Sequence, residues 1–260
     1  MSEYRGRFLW YELMTNDVDA AIEFYSGITG WTAQPWEGSD QPYTMWMRGE
    51  GPVGGLMRLP DEAAEAGAPP HWLAYFGTPD IDATVARATE LGAHILVPTM
   101  DLPDIGRMTI LRDPQGAVFA AYQPAADPAP ETPPEAGQFS WHELATSDRE
   151  AAWTFYSELF GWETTEEMDM GEGNMYHMYS RPGGWPLGGI FNRTPEMPVS
   201  AWLFYVTVPD CAAAVEAVQA GGGQVLNGPM EVPGGDMIAQ CMDPQGAPFA
   251  VHQVKDGGEA

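Results

Sequence analysis

"FLWYELMTNDVDAAIEFYSGITGW", residues 8–31, returns as "FSWHELATSDREAAWTFYSELFGW", residues 139–162. Trp10 corresponds to Trp141, Glu12 to Glu143, Asp17 to Asp148, Phe24-Tyr25 to Phe155-Tyr156, and the closing Gly30-Trp31 to Gly161-Trp162. Each copy opens with a short apolar run that reads as a strand. It then passes through Asn-Asp or Ser-Asp, residue types whose side-chain oxygens cap helix N-termini. Apolar residues follow at helical spacing, among them Ala20, Ala21, Phe24 and Tyr25. A glycine, which adopts the left-handed conformation without penalty, stops the helix. A strand–helix unit written twice points to a duplicated fold.

The duplication extends outward. "DPQGAVFAAYQ" at 113–123 returns as "DPQGAPFAVHQ" at 243–253, each a turn followed by an apolar strand. Midway, "HWLAYFGTPDIDATVARATELGA" starts again with strand, Pro-Asp turn, helix and glycine stop, and Trp72 and Asp80 correspond to Trp202 and Asp210. Further strands are expected around 43–48, 53–59, 94–97, 107–112 and 117–122. Each half thus reads as two strand–helix–strand–strand–strand units, four in all. Between the halves, "QPAADPAPETPPEAGQ" is rich in Pro, Ala and acidic residues, which predicts an extended, semi-rigid linker. The expected organisation is a first domain over 1–123, a linker over 124–138, a second domain over 139–254 and a short tail over 255–260.

The totals narrow the partners. Among 260 residues, 11 Lys and Arg face 37 Asp and Glu, for a formal charge of −26. Such a surface repels nucleic acid and anionic membranes, so neither is expected as a partner. The two cysteines, Cys211 and Cys241, form no disulfide framework or metal knuckle, and no neighbouring charge pattern marks a reactive thiolate. The glycines of "PGGW" and "GGG" lack a phosphate-loop context. No apolar run approaches a membrane span. The expectation is a cytoplasmic protein with a small-molecule partner, either a monomer that is a pseudo-dimer by duplication or a homodimer.

The ordered series "D-x-x-A-A-x-x-F-Y…GW", "PDIDATVARATELGA" and "DPQGAxFA" resembles the vicinal oxygen chelate superfamily, the group of glyoxalases, bleomycin-resistance proteins and extradiol dioxygenases. The resemblance covers almost the whole chain, twice. It implies an α+β fold of four βαβββ units arranged as two tandem domains, each forming a cup-shaped sheet. Many members hold a divalent metal on the cup floor through His, Gln or Glu from four strands, a donor set that polarises vicinal substrate oxygens. The resemblance places the first ligand at Trp10 and Trp141, the third at Leu73 and Leu203, and the last at Ala120 and Ala250. The second falls near Leu56 and Ile190. None of these side chains binds a metal, so the chain departs from the pattern in both halves. No metal and no other cofactor is expected.

Residues two apart on a strand share a face. The inward set of the first cup is then Trp10, Glu12, Leu73, Tyr75, Val118, Ala120 and Tyr122. In the second it is Trp141, Glu143, Leu203, Tyr205, Pro248, Ala250 and His252. Both floors are aromatic and apolar with one carboxylate each, which suits a flat or hydrophobic organic ligand. Core packing accounts equally well for Trp10 and Trp141, and a structural hydrogen bond for Glu12 and Glu143. Glu143 with His252 is the one candidate acid–base pair. His142 reads as packing or surface, His177 as surface, and His71 and His94 as structural or exposed. Glu143, His177 and His252 form a non-family metal alternative.

Three functions follow. The first is metal-free binding of an aromatic or hydrophobic metabolite or antibiotic, for sequestration, resistance or a step of secondary metabolism. The second is metal-dependent glyoxalase-type lyase, isomerase or dioxygenase chemistry. The third is a non-catalytic interaction protein with filled cups. The residues leave open whether any reaction is catalysed.

Overall fold

The computed structural model describes residues 4–38, 41–171 and 173–255; of the expected tail, 256–260 lie outside the described residues. Four βαβββ modules follow one another, and the α+β class is as expected. The first comprises β1 (Phe8–Thr15), α1 (Val18–Thr29), β2 (Thr32–Trp36), β3 (Tyr43–Arg48) and β4 (Gly51–Arg58). A short helix, α2 (Asp61–Glu65), precedes the second: β5 (His71–Gly77), α3 (Ile81–Glu90), β6 (His94–Leu102), β7 (Gly106–Arg112) and β8 (Val118–Pro124). The third is β9 (Phe139–Thr146), α4 (Arg149–Phe160), β10 (Glu163–Asp169), β11 (Met175–Ser180) and β12 (Pro186–Asn192). The fourth is β13 (Ala201–Thr207), α5 (Cys211–Ala220), β14 (Gln224–Glu231), β15 (Met237–Met242) and β16 (Pro248–Gln253).

The strands form two eight-stranded mixed sheets, ordered β2-β3-β4-β1-β5-β8-β7-β6 and β10-β11-β12-β9-β13-β16-β15-β14. Two features have no signal in the residue pattern. Helix α2 carries no buried residue and no side-chain cap, so no periodicity marks it. Strand β6 runs on to Leu102 because its pairing with β7 shifts between Val97 and Met100. Pro98 falls in that irregularity on an edge strand, where a missing N–H costs no ladder bond.

Four helices start the same way. Asp17, Asp80, Asp148 and Asp210 each accept, at 3.0 Å, the backbone N–H three residues on. Each satisfies one of the donors that a helix N-terminus leaves without an intrahelical partner. Gly30 and Gly161, at φ 72° and 74°, close α1 and α4 in the left-handed conformation.

The chain divides into two compact units that interleave along the sequence. One combines Met1–Leu9, Leu73–Glu131 and Trp141–Trp202; the other combines Trp10–Trp72, Thr132–Ser140 and Leu203–Ala260. Each unit therefore draws a module from each half of the chain.

In the first unit the core gathers Phe76, Phe119, Tyr156, Phe160, Trp162 and Trp202, all buried. At its centre, Asp113 of the DPQG turn accepts the N–H groups of Gln115 (2.9 Å) and Ala117 (2.8 Å) through Oδ1. Its Oδ2 accepts the hydroxyl of Tyr156 at 2.9 Å, and Trp202 Nε1 donates to that hydroxyl at 3.2 Å. The second unit repeats the chain of bonds. Asp243 Oδ1 accepts from Gln245 (2.9 Å) and Ala247 (2.8 Å), and its Oδ2 accepts Tyr25 Oη at 3.1 Å. Trp72 Nε1 donates to Tyr25 Oη at 3.0 Å. Here the core is Tyr25, Trp46, Trp72 and Phe249, with Tyr11 stacked on Phe139 at 3.8 Å.

The Pro-rich segment after β8 forms no regular element and is held by side chains instead. Within the first unit Arg7 Nη1 donates to the carbonyl of Ala129 at 2.7 Å, and Arg181 pairs with Glu131. Within the second, Trp31 Nε1 donates to the carbonyl of Gly137 at 2.8 Å, and Arg48 pairs with Glu135.

Removing one hydroxyl from either chain of bonds strands a buried carboxylate oxygen and an indole N–H. Tyr156→Phe and Tyr25→Phe should each cost about 1–3 kcal/mol, more than the ~1 kcal/mol expected for Asp17→Ala at a helix cap. Urea unfolding followed by near-ultraviolet circular dichroism checks the order.

Candidate ligand-binding site

Trp10 and Glu12 project from β1, where Glu12 pairs in register with Gly55 of the parallel neighbour β4. A Cβ at Gly55 would lie 1.8 Å from Tyr43 Oη. The missing side chain therefore opens the path by which Tyr43, at the start of β3, reaches β1. Trp10 Nε1 donates to Tyr43 Oη at 2.8 Å, and Tyr43 Oη in turn donates to the Glu12 carboxylate. The third module repeats this. Glu143 pairs with Gly189, where a Cβ would fall 2.0 Å from Tyr176 Cζ. Trp141 Nε1 donates to Tyr176 Oη at 2.8 Å, which donates to Glu143 Oε1 at 2.9 Å. The preceding glycines serve the backbone. A Cβ at Gly54 would meet the carbonyl oxygen of Tyr11 at 2.5 Å, and one at Gly188 that of His142 at 1.8 Å. Both residues of each Gly-Gly pair are thus required, for different reasons.

The register corrects one expectation. Leu56 pairs with Leu13 and Ile190 with Leu144, so both lie on the faces opposite Glu12 and Glu143. The β4 and β12 residues beside the carboxylates are Gly55 and Gly189, which offer no donor atom either.

Each relay is an indole–phenol–carboxylate chain with its donors aimed one way. Burial, and then the charge of Glu12, hold the Tyr43 hydroxyl far above the usual phenol range, so it remains a donor at any physiological pH. Glu12 is buried at 5 % exposure and Trp10 half-buried. A carboxylate so placed is stabilised by its hydrogen bonds. It can orient a ligand hydroxyl beside an indole face.

The other expected residues fall as follows. In the first unit, Tyr75 pairs in register with Ala120, its ring meeting Tyr122 edge-on at 6.3 Å. Leu73 is buried, and Tyr122 Oη donates to the carbonyl of Ile105 at 2.8 Å. In the second unit, Tyr205 pairs with Ala250 and accepts a bond from Gln240 Nε2 at 2.8 Å, while Leu203 is half-buried. Glu143 and His252 belong to different compact units, and each is bonded within its own. His252 Nδ1 meets Ser140 Oγ at 2.8 Å and its Nε2 meets Asp236 Oδ2 at 2.9 Å.

The remaining histidines and the cysteines lie outside the relays. His142 is buried, bonds the carbonyl of Leu187 through Nδ1 at 2.7 Å and stacks on Phe8 at 3.6 Å. His177 is buried at 5 % exposure, contrary to the surface position expected for it. Its nitrogens meet Thr164 and Glu167, and its ring lies 4.2 Å from that of Trp153, a pocket no local motif announces. His71 is half-buried and bonds the carbonyl of Pro69; His94 is exposed. Burial raises the Cys211 thiol and pushes that of Cys241 up to about 12, so neither is a thiolate nucleophile.

Sequence reasoning misses Tyr43, Tyr176 and Gln240. The repeated placement of Tyr43 and Tyr176 at the start of the strand before each Gly-Gly strand is the available signal.

The duplicated βαβββ modules define a tandem protein built from paired βαβββ units. The chain matches the Glyoxalase/Bleomycin resistance protein/Dioxygenase superfamily over residues 7–120 and 138–251, and it belongs to that superfamily. CFP32 of Mycobacterium tuberculosis, named as a candidate glyoxylase, is 33 % identical over 255 residues, 96 % of each chain. The anthracycline biosynthesis protein DnrV of Streptomyces peucetius is 30 % identical over 271 residues, 97 % of this chain and 94 % of that protein. The Mn(II)-bound glyoxalase from Novosphingobium aromaticivorans shares the fold at a TM-score of 0.64 and 14 % identity, covering 96 % of this chain and 82 % of that one.

The family's metal does not fit the donors present. Its strand positions carry Trp10, Gly55, Leu73 and Ala120 in one half and Trp141, Gly189, Leu203 and Ala250 in the other. Among the described residues no three His, Cys, Asp or Glu side chains converge as a metal site requires.

Gly55→Ala and Gly189→Ala should each expel the tyrosine and break the relay. The expected readout is a shifted tryptophan emission with the far-ultraviolet spectrum retained; unchanged emission would refute the geometry. His142 supplies a pH test. Burial lowers its pKa to about 3, so between 6.5 and about 3 the unfolded chain binds the proton and the folded chain does not. Its share of the stability is present above 6.5 and is lost as pH falls, at up to about 1.4 kcal/mol per pH unit. His142→Gln should flatten that slope relative to wild type in urea titrations at stepped pH.

Proposed function

We propose that this protein binds flat, hydroxyl-bearing polycyclic aromatic compounds, one at each indole–phenol–carboxylate relay, without a resident metal. The observation that carries this reading is the relay itself. It is built twice around a glycine whose Cβ would collide with the tyrosine. An indole offers a stacking face, and a carboxylate held by a phenol offers a strong acceptor for a ligand hydroxyl. Apolar surroundings raise the strength of that one polar contact, which fixes orientation. Support comes from the similarity to an anthracycline biosynthesis protein along nearly its full length. Sequestration of such a compound and its presentation to a partner enzyme both fit this chemistry.

The test is titration of tryptophan fluorescence with an anthracycline and with a dihydroxyanthraquinone. Saturable quenching is expected, with two sites per chain. Tyr43→Phe and Tyr176→Phe should each weaken one site about tenfold, the equivalent of about 1.4 kcal/mol. An absence of saturable quenching by either probe sinks the reading. The competing reading, a metal-dependent glyoxalase-type or dioxygenase reaction, expects a stoichiometric divalent ion after metal-supplemented growth and fails if elemental analysis finds none.

A further inference from the structure

Ser140, His252 and Asp236 form a second polar chain, wholly within one compact unit and apart from the relays. Ser140 lies in β9 and His252 in β16. Asp236 sits just before β15, whose Ile238 pairs with His252. The Asp236 carboxylate can only accept a hydrogen bond. Its backbone bond from Lys255 and its bond from His252 hold it ionised, below the usual carboxylate range although burial opposes this. His252 Nε2 must therefore carry the proton it donates to Asp236 Oδ2 at 2.9 Å. In the neutral ring that leaves the Nδ1 lone pair facing Ser140 Oγ at 2.8 Å. The serine hydroxyl has one alternative acceptor, the carbonyl of Tyr205, at the longer 3.4 Å. Nucleophile, base and orienting acid stand in bonding reach, in the order that activates a hydroxyl.

The duplication argues that the scaffold does not need this chain of bonds. The equivalent residues in the other half are Leu9, Tyr122 and Gly106. There Tyr122 Oη ties β8 to the carbonyl of Ile105 at 2.8 Å, with no serine, histidine or carboxylate in the bond. All three polar residues occur together in one copy, and none occurs in the other.

We propose that Ser140 is the nucleophile of an acyl-transfer site, with His252 as base and Asp236 as the group that orients it, and that its substrates are carboxylic esters of small acyl groups. Ser140 is only 9 % exposed, while the side chains of His252 and Asp236 are 13 % and 31 % exposed, so the chain is most open at its aspartate end and a small acyl group suits it better than a bulky one. In the first step Ser140 Oγ bonds to the acyl carbon and its proton passes to His252 Nδ1. The bond from the acyl carbon to the leaving oxygen breaks, and that oxygen takes the proton from His252. Water, deprotonated by the same nitrogen, then attacks the acyl-serine, releases the carboxylic acid and restores the hydroxyl. The reaction consumes one ester and one water.

The full chain is treated with diisopropyl fluorophosphate, which forms an Oγ–P bond and releases fluoride, and its intact mass is followed. One diisopropylphosphoryl group per chain, mapped by peptide sequencing to Ser140, is expected. Asp236→Asn should slow labelling at least tenfold, and Ser140→Ala should abolish both labelling and the hydrolysis of p-nitrophenyl acetate. The wild-type result needs no variant to fold. An unmodified chain after prolonged incubation, or a label on any residue other than Ser140, overturns the proposal.

Discussion

A buried carboxylate that accepts a phenol hydroxyl, which in turn accepts an indole N–H, holds each compact unit together. Asp113 and Asp243 each arrange a tight turn through one oxygen and receive a tyrosine hydroxyl through the other. Desolvation is the larger influence on both. Burial raises their pKa values despite several hydrogen bonds that pull the other way. A group this costly to bury tolerates no missing partner, so turn, helix tyrosine and strand tryptophan must arrive together. In each unit the aspartate comes from one half of the chain and the tyrosine from the other. The DPQG turn and the Phe-Tyr of the helix are therefore two ends of one bond, and each half is completed by residues of the other. This accounts for why the sequence writes both stretches twice.

A second constraint acts on the sheets, where two glycines in succession do different work. One lets the parallel strands β1 and β4, or β9 and β12, approach until a carbonyl oxygen occupies the space of a side chain. The other clears the face over which Tyr43 or Tyr176 lies. A single alanine at either place meets backbone or ring atoms that cannot yield cheaply. The relay of Trp, Tyr and Glu is the consequence. It converts a carboxylate that would be a liability in an apolar surface into a satisfied, oriented acceptor.

Much of this architecture is legible in the amino-acid sequence, because it rests on local chemistry repeated in register. The four Asp caps, the glycine stops and the strand alternation announce the βαβββ modules. Trp10, Glu12, Trp141 and Glu143 stand out because both copies keep them. What stays hidden depends on contacts between distant strands. Tyr43 and Tyr176 read as ordinary strand aromatics until the empty Cβ space at Gly55 and Gly189 shows where they go. His177 reads as a surface residue because its partners, Thr164, Glu167 and Trp153, come from a neighbouring strand and a helix. Register slips by one at Leu56 and Ile190, since glycines carry no face in an alternation pattern.

Comparing the two copies separates scaffold from site more sharply than either copy alone. Positions where the halves agree, the caps, the aspartate turns, the Gly-Gly pairs and the relays, each answer a demand of the fold or of a site present twice. Positions where they diverge face no such shared demand. Ile110 and Tyr122 in one half stand against Gln240 and His252 in the other, and Leu9 against Ser140. Ile110 and Leu9 give way to hydrogen-bonding side chains, and the Tyr122 phenol to an imidazole; Leu9, Ser140, Tyr122 and His252 lie on the strands that flank β5 or β13, and Ile110 and Gln240 one strand further out. The structure closes them into bonds, Gln240 to Tyr205 and Ser140 to His252. The first half builds the same module without these groups. Their concentration in one half is the feature on which the acyl-transfer proposal for Ser140, His252 and Asp236 rests.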